Sequence, residues 1–378
     1  MKIRILCVAG ARPNFMKVAP LLRAFASHAR FDAKLVHTGQ HYDQRLSQVF
    51  FDELGIPPPA MHLDVGSGSH SAQTAEIMKR FEAVAEEQQP HAVLVVGDVN
   101  STIACAIVAA KLMLKEPFQT RWGTRRRPLV VHVEAGLRSG DDDMPEEINR
   151  KLTDCISDVL YVSDPAGLTN LHQEGVSADR VVMVGNVMID TLLAARTRSM
   201  DSRVLETLGL SPRQYGVLTL HRPSNVDDAR TFSELMSALE AVARELPLVF
   251  PVHPRTRARL ETTGLALKPP AWHVVEPVGY HDFLRLVSSA RVVLTDSGGI
   301  QEETTVLGVP CITLRANTER PATIEEGTNQ LAGTSPEAIW RSFQKAMSGA
   351  VSGRIPHFWD GRAAERIAEH LEQVFPAE

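Results

Sequence analysis

Val292-Val293-Leu294-Thr295-Asp296-Ser297-Gly298-Gly299-Ile300-Gln301-Glu302-Glu303 joins a short apolar run, a Ser-Gly-Gly turn and a helical pattern. The run predicts a buried β-strand, and the helix is expected to open at about Ile300. Two glycines at such a junction let the backbone approach a ligand with no Cβ in the way. The unpaired N–H groups of a helix start, helped by the helix dipole, favour an anion there. Ser297 adds a hydroxyl donor, and Glu303, one turn into the helix, can accept from sugar hydroxyls. That combination suits a nucleoside diphosphate, with phosphates on the turn and ribose on the carboxylate. A plain strand-to-helix connection with a serine N-cap is the alternative.

The same alternation extends outward along the chain. Strands are predicted at 3–8, 33–37, 92–96, 129–133, 159–162 and 181–184, then at 217–220, 248–252, 272–275, 291–295 and 311–314. Most are continuous apolar runs, as expected of parallel strands covered on both faces. Helical patterns such as 15–27, 71–87 and 101–114 separate them, giving βαβ units. Two series of five or six strands predict an α/β protein of two Rossmann-like domains. The join is expected near Ser163-Asp164-Pro165, dividing the chain into 1–164 and 165–360, with the terminal helical segment 361–378 packing back on the first domain. Ligands of open α/β sheets sit beyond the carboxyl ends of the strands. Arg12, His37, Asp98, Glu134, His221, His253 and Asp296 all fall there, so the two sheets are expected to turn those edges toward a shared cleft.

Composition is consistent with this. At 378 residues the chain exceeds one ordinary core. An apolar content of 44%, a charged content of 22% and a net charge of -5 are those of a soluble globular protein. They give no reason to expect nucleic acid or an anionic membrane as partner. No apolar run approaches the roughly 20 residues of a membrane span, and Met1–Val8 leads directly into a strand. Cys7, Cys105, Cys155 and Cys311 form no CxxC pair and mostly lie in apolar runs, as reduced thiols of a cytoplasmic protein do. The fourteen histidines lack metal-ligand spacing. Gln119–Pro128, with four arginines, reads as a solvated surface loop.

Candidate chemistry follows from residue type and place. Asp98 and Glu134 follow predicted strands, and Glu146 and Glu147 follow Pro145 at a helix start. Such acids can serve as caps or dipole complements. Crowded into one cleft, they repel one another and become candidates for general acid or base work. Arg12 and Lys17 flank the first strand–helix turn, where they could stabilise the charge of a departing diphosphate. His221 stands where the chain leaves another strand.

With these residues laid out, the chain resembles the bacterial non-hydrolysing UDP-N-acetylglucosamine 2-epimerases over nearly its whole length. The matching segments are Gly10–Lys17 with its Arg-Pro…Lys pattern, Gly39-Gln40-His41, Gly97-Asp98, His132–Arg138, Pro145–Arg150, Gly185-Asn186, His221-Arg222, Pro251-Val252-His253, Asp296–Glu303 and Glu319-Arg320-Pro321. The resemblance implies a fold like that of GT-B glycosyltransferases, a homodimer, and interconversion of UDP-N-acetylglucosamine and UDP-N-acetylmannosamine with no metal or other cofactor. Loss of the C2 proton with departure of UDP would leave a 2-acetamidoglucal, to which UDP adds back after protonation of the opposite face. By position, Asp98, Glu134 and Glu146 match the family's acid/base carboxylates, with Lys17 and His221 assisting. Ser297, Gly298 and Gly299 match its phosphate cradle and Glu303 its ribose carboxylate. Arg12, His253, Phe283 and Arg320 match positions around uracil and phosphate, with Phe283 stacking on the base. The chain departs from the common pattern at Pro223-Ser224-Asn225-Val226 and at Asp43. A 2-epimerase of a modified UDP-sugar such as a diacetamido uronate, a GT-B glycosyltransferase and a non-catalytic nucleotide-sugar sensor are the alternatives.

Overall fold

The computed structural model describes residues 2–39, 51, 53–265 and 267–376, and of Arg12 the backbone alone. Gln40, His41 and Asp43 therefore lie outside the described residues, as does the side chain of Arg12. The chain divides into two compact units, Met1–Thr191 with His357–Glu378, and Leu192–Pro356.

The first unit carries β1 (Ile3–Ala9), β2 (Phe31–His37), β3 (Met61–His62), β4 (Ala92–Val96), a hairpin of β5 (Phe118–Thr120) and β6 (Gly123–Arg125), β7 (Leu129–Ala135), β8 (Val159–Val162) and β9 (Val181–Met183). Apart from the hairpin these form one sheet in the order β3-β2-β1-β4-β7-β8-β9, with parallel pairing throughout. β9 bonds to β8 downstream of Ser163-Asp164-Pro165, so the first unit continues to Thr191. The terminal helix Ala363–Val374 also belongs to this unit. Asp190 accepts hydrogen bonds from the N–H groups of Ala363 and Ala364 at 3.1 and 2.7 Å, and Trp359 donates to the Ser163 carbonyl.

The second unit carries β10 (Gly216–Thr219), β11 (Leu248–Pro251), β12 (Trp272–Val275), β13 (Val292–Thr295), β14 (Cys311–Thr313) and β15 (Asn329–Leu331) in the order β12-β11-β10-β13-β14-β15, again parallel. Alternate residues of its central strands point to opposite cores. Val217, Val249 and Val293 join Tyr215, Leu286 and Val287 on one face. Leu218, Phe250 and Leu294 join Phe232, Leu239 and Phe343 on the other. Each fully buried side chain of this kind contributes roughly 1.5–3 kcal/mol. Two-sided burial is why these strands read as unbroken apolar runs.

In both sheets the strand order reverses at one place, between β1 and β4 and between β10 and β13. Such a switch point opens a crevice at the carboxyl ends of the strands, where α/β proteins bind ligands. Lys17, Asp98, His221 and Asp296 all follow those four strands.

Gln119–Pro128 is built differently from the surface loop expected. It contributes to the β5–β6 hairpin, and its arginines are used within the unit. Arg125 and Arg127 both bind Asp158, at 2.7 and 2.9 Å, and Arg121 donates to the Asp179 carbonyl. No described helix is long and apolar enough to cross a membrane.

Candidate functional site

In the first unit the helix Arg12–Ala26 starts just after β1. Asn14 ties that start to the next strand, accepting from the N–H groups of Gly10 and Ala11 and donating to the Val96 carbonyl at the end of β4. Lys17, nearly one turn on, is thereby aimed inward, with Nζ 2.5 Å from Glu134 Oε2. Lys17 is 8% exposed and Glu134 3%. Water screens such a pair little, so the attraction is strong and neither charge is affordable alone.

Two unusual backbone conformations make this contact possible. Glu134 has φ +68, rare for a residue with a side chain, and the pairing of β7 with β8 slips in register at that residue. A bulge of this kind re-aims one side chain out of the alternating pattern, here toward Lys17. Gly97 has φ +65, and a Cβ on it would stand 2.8 Å from Lys17 Nζ. The positive φ is what favours glycine there, since the Lys17 ammonium is the movable end of a flexible side chain.

Asp98, next along, is a quarter exposed and accepts from Arg150 Nε and Nη2 at 2.9 and 2.6 Å. Arg150 also binds Glu147 at 2.6 Å. Glu147 is fully buried and accepts from the N–H groups of Ser139 and Gly140 as well. Burial raises its carboxyl, but those amides and Arg150 outweigh burial and hold it below the usual range. The two adjacent glutamates thus separate: Glu147 is a fixed anion, whereas Glu146 is half-buried and has no hydrogen bond or ion pair among the described residues. Crowding of bare carboxylates, expected from the sequence, is replaced by pairing, Asp98 with Arg150 and Glu134 with Lys17.

In the second unit the helix Gly298–Leu307 opens two residues earlier than expected, with Ser297 at its N-cap and no capping bond from the serine side chain. The glycines themselves form the first turn, so their N–H groups are at the anion-attracting end. Asp296, fully buried, accepts from the N–H groups of His221 and Arg222 at 3.0 and 2.9 Å, and His221 Nδ1 lies 2.7 Å from its Oδ1. Burial raises this carboxyl, but His221 and the amides outweigh it and keep it low. The imidazole is therefore fixed by its Nδ1, with 42% of its side chain exposed.

Beside this turn lies Glu319. A Cβ on Gly298 would come within 2.6 Å of its Oε1. Arg315 binds Glu319 at 2.8 Å, Arg222 approaches it at 3.6 Å, and Arg320 binds Glu302 at 2.8 Å. Burial raises the Glu319 carboxyl, but Arg320, Arg315 and Arg222 outweigh it and push it far below the usual range. Three guanidinium groups and the glycine N–H groups thus gather at the helix start, donors of the kind that bind a phosphate.

Glu303 is fully buried on the same helix and accepts from the Tyr280 hydroxyl at 3.1 Å. Burial raises it from an ordinary 4.5 to about 7. A raised carboxyl stabilises the fold fully below the unfolded value, and this is lost as pH climbs to the folded value. Glu303→Gln is therefore expected to gain stability relative to the wild type as pH rises from about 4.5 to about 7, with little change beyond. Urea midpoints of both proteins across that range check this, and a constant difference would contradict it.

The remaining assigned residues are more dispersed. Exposed His253 caps the helix Pro254–Thr263, accepting from the Arg255 N–H, with its ring 6.1 Å from that of His221. Phe283 is partly buried against the Tyr215 cluster and partly open. Sequence reasoning gave no role to Asp154, Glu319 or Tyr280. Asp154 belongs to a polar stripe, Glu147, Arg150 and Asp154, at helical spacing, and that spacing is the signal that could have shown it.

Set beside known proteins, the UDP-N-acetylglucosamine 2-epimerase family matches residues 23–372. A UDP-N-acetylglucosamine 2-epimerase of Methanocaldococcus jannaschii is 37% identical over 379 residues, spanning 98% of this chain and 99% of the relative. A UDP-2,3-diacetamido-2,3-dideoxy-D-glucuronate 2-epimerase of Pseudomonas aeruginosa is 37% identical over 376 residues, spanning 98% and 100%. The crystal structure of Methanocaldococcus jannaschii UDP-GlcNAc 2-epimerase in complex with UDP-GlcNAc and UDP has a TM-score of 0.88 to this chain at 36% identity, covering 98% of this chain and 99% of that one.

Proposed function

The chain belongs to the UDP-N-acetylglucosamine 2-epimerase family, and from that premise we propose that it interconverts UDP-N-acetylglucosamine and UDP-N-acetylmannosamine. The observation that carries this reading is the pair of cation-matched carboxylates, Asp98 and Glu134, at the ends of neighbouring strands. The second unit holds the nucleotide, with diphosphate on Ser297–Gly299 and Arg320, ribose on Glu303, and base near Phe283 and His253.

Inverting C2 requires a proton to leave one face and another to arrive on the opposite face. A carboxylate takes the C2 proton, the C–H electron pair becomes the C1–C2 double bond, and the C1–oxygen bond breaks to release UDP. A second carboxyl group protonates C2 from the other face, and the UDP oxygen re-forms its bond to C1. Asp98, Glu134 and Glu146 supply these groups. Lys17 stabilises Glu134 as an anion, and His221, fixed by Asp296, donates toward the diphosphate charge that develops as the bond breaks. Product analysis by NMR tests the proposal: UDP-N-acetylmannosamine should accumulate from UDP-N-acetylglucosamine, and unchanged substrate with folded protein would contradict it.

A second reading, a 2-epimerase of UDP-2,3-diacetamido-2,3-dideoxy-D-glucuronate, is favoured by the equal identity to the Pseudomonas aeruginosa relative. Turnover of the two sugar nucleotides side by side separates them. Ser297→Ala, which removes one hydroxyl donor, should weaken UDP binding roughly fivefold to tenfold, about 1 kcal/mol, with kcat little changed. Calorimetric titration with UDP checks this.

We further propose that the protein acts as a cytoplasmic homodimer in polysaccharide biosynthesis. Support for the dimer comes from the helix Pro145–Ile156, whose polar stripe faces inward while Ile148 and Leu152, one turn apart, are 50% and 51% exposed. Leu152→Glu should shift the protein toward monomer in analytical ultracentrifugation, and an unchanged mass would remove this face from the interface.

A further inference from the structure

Asp154 lies near the end of the helix Pro145–Ile156 and is completely buried. Its Oδ1 lies 2.6 Å from His132 Nδ1, and its Oδ2 accepts from the Gly136 N–H at 3.0 Å and pairs with Arg138 Nη2 at 2.8 Å. His132 and Gly136 stand two residues before and two after Glu134, the residue with φ +68 in the bulge of β7. One carboxylate thus grips both sides of the distorted segment that aims Glu134 at Lys17. A side-chain-bearing residue in that conformation is strained, and it persists only where its surroundings hold it.

The other ring nitrogen of His132, Nε2, lies 2.8 Å from the carbonyl oxygen of Gly97. A backbone carbonyl accepts only. Burial raises the Asp154 carboxyl, but His132, Arg138 and the Gly136 amide outweigh burial and keep it ionised, so it too accepts only. Nε2 must therefore donate to that carbonyl while Nδ1 faces the carboxylate, so both sides of the ring are held. The second bond fixes the carbonyl immediately before Asp98. A single buried network thereby reaches both strand ends that carry the proton-transfer carboxylates.

We infer that Asp154 and His132 form a buried hydrogen-bonded pair whose task is positioning, holding the Glu134 bulge and the Gly97–Asp98 turn in register for proton transfer. Neither residue needs to touch substrate. The inference rests on the epimerase reading for its catalytic consequence, but the state of the ring can be measured without substrate.

Two measurements test it. In nitrogen-15 spectra of the histidine rings, with the His132 signals identified by their loss in His132→Gln, Nε2 should carry the proton that bonds the Gly97 carbonyl. An Nε2 without a proton overturns the pair. Asp154→Asn and His132→Gln should each lower kcat at least tenfold while leaving the affinity for UDP within twofold of wild type, because UDP is assigned to the second unit. Wild-type kcat in either folded variant overturns the positioning role, and a variant that fails to fold leaves the other variant and the ring spectrum to decide. Inactive wild-type enzyme would instead count against the epimerase reading.

Discussion

Asp98→Asn and Glu134→Gln should each lower epimerisation by about 10²–10⁴-fold, the range typical of a lost general acid or base, with UDP affinity nearly intact. Both exchanges keep the shape and remove the negative charge and the proton-accepting oxygen. Glu134→Gln leaves Lys17 buried against a neutral amide, which removes the anion that Lys17 matches. Asp98→Asn leaves Arg150 with Glu147 as its charged partner, so the guanidinium stays neutralised and the fold should hold. Neither residue lies in the second unit, where the helix start and the arginine cluster are assigned to the diphosphate. Steady-state kinetics with UDP titration of each variant checks the split. Wild-type turnover in both would remove these carboxylates from the chemistry.

Gly136→Ala should be more damaging than its single methyl suggests. Gly136 has φ +79, and a Cβ there would lie 2.5 Å from the Gly167 carbonyl oxygen and 2.9 Å from two further backbone atoms of that residue. Backbone cannot move aside as a flexible side chain can. Overpacking costs about 1–3 kcal/mol, and a left-handed alanine adds roughly 1 kcal/mol or more. The relief available is to shift the segment that follows Glu134, which also pulls the Gly136 N–H from Asp154. Loss of about 2–4 kcal/mol of stability, together with at least a tenfold drop in kcat, is expected. Denaturant unfolding and turnover measured on the same sample check this; wild-type values for both would show that the segment tolerates what its geometry forbids.

Much of the fold was legible because parallel strands buried on both faces leave long apolar runs, as at Val292–Thr295 and Ala92–Val96. The ends of those runs located Asp98, Glu134, His221 and Asp296. What could not be read has a separate physical cause in each case. β3 and β15 are edge strands of two and three residues, too short for any periodicity. The helix Pro145–Ile156 inverts the usual pattern: its apolar Ile148 and Leu152 are exposed, while Glu147, Arg150 and Asp154 are buried. Periodicity alone would turn that helix over. The left-handed conformation of Glu134 leaves no trace in residue type, since glycine would mark such a site and glutamate does not. Glu319 reaches Gly298 only through the folding of β14 and the turn after it, a long-range contact that local pattern cannot reveal. The family resemblance supplied what spacing could not, the proposal that Asp98, Glu134 and Glu146 are the acid/base set, and Asp154 lay beyond both.

The most direct test is exchange at the sugar's C2. In deuterium oxide, UDP-N-acetylglucosamine recovered after incubation with the pure protein should carry one deuterium at C2, seen as a one-unit mass increase and the loss of that carbon's proton resonance. Substrate recovered without label, from folded protein that still binds UDP, would contradict the account.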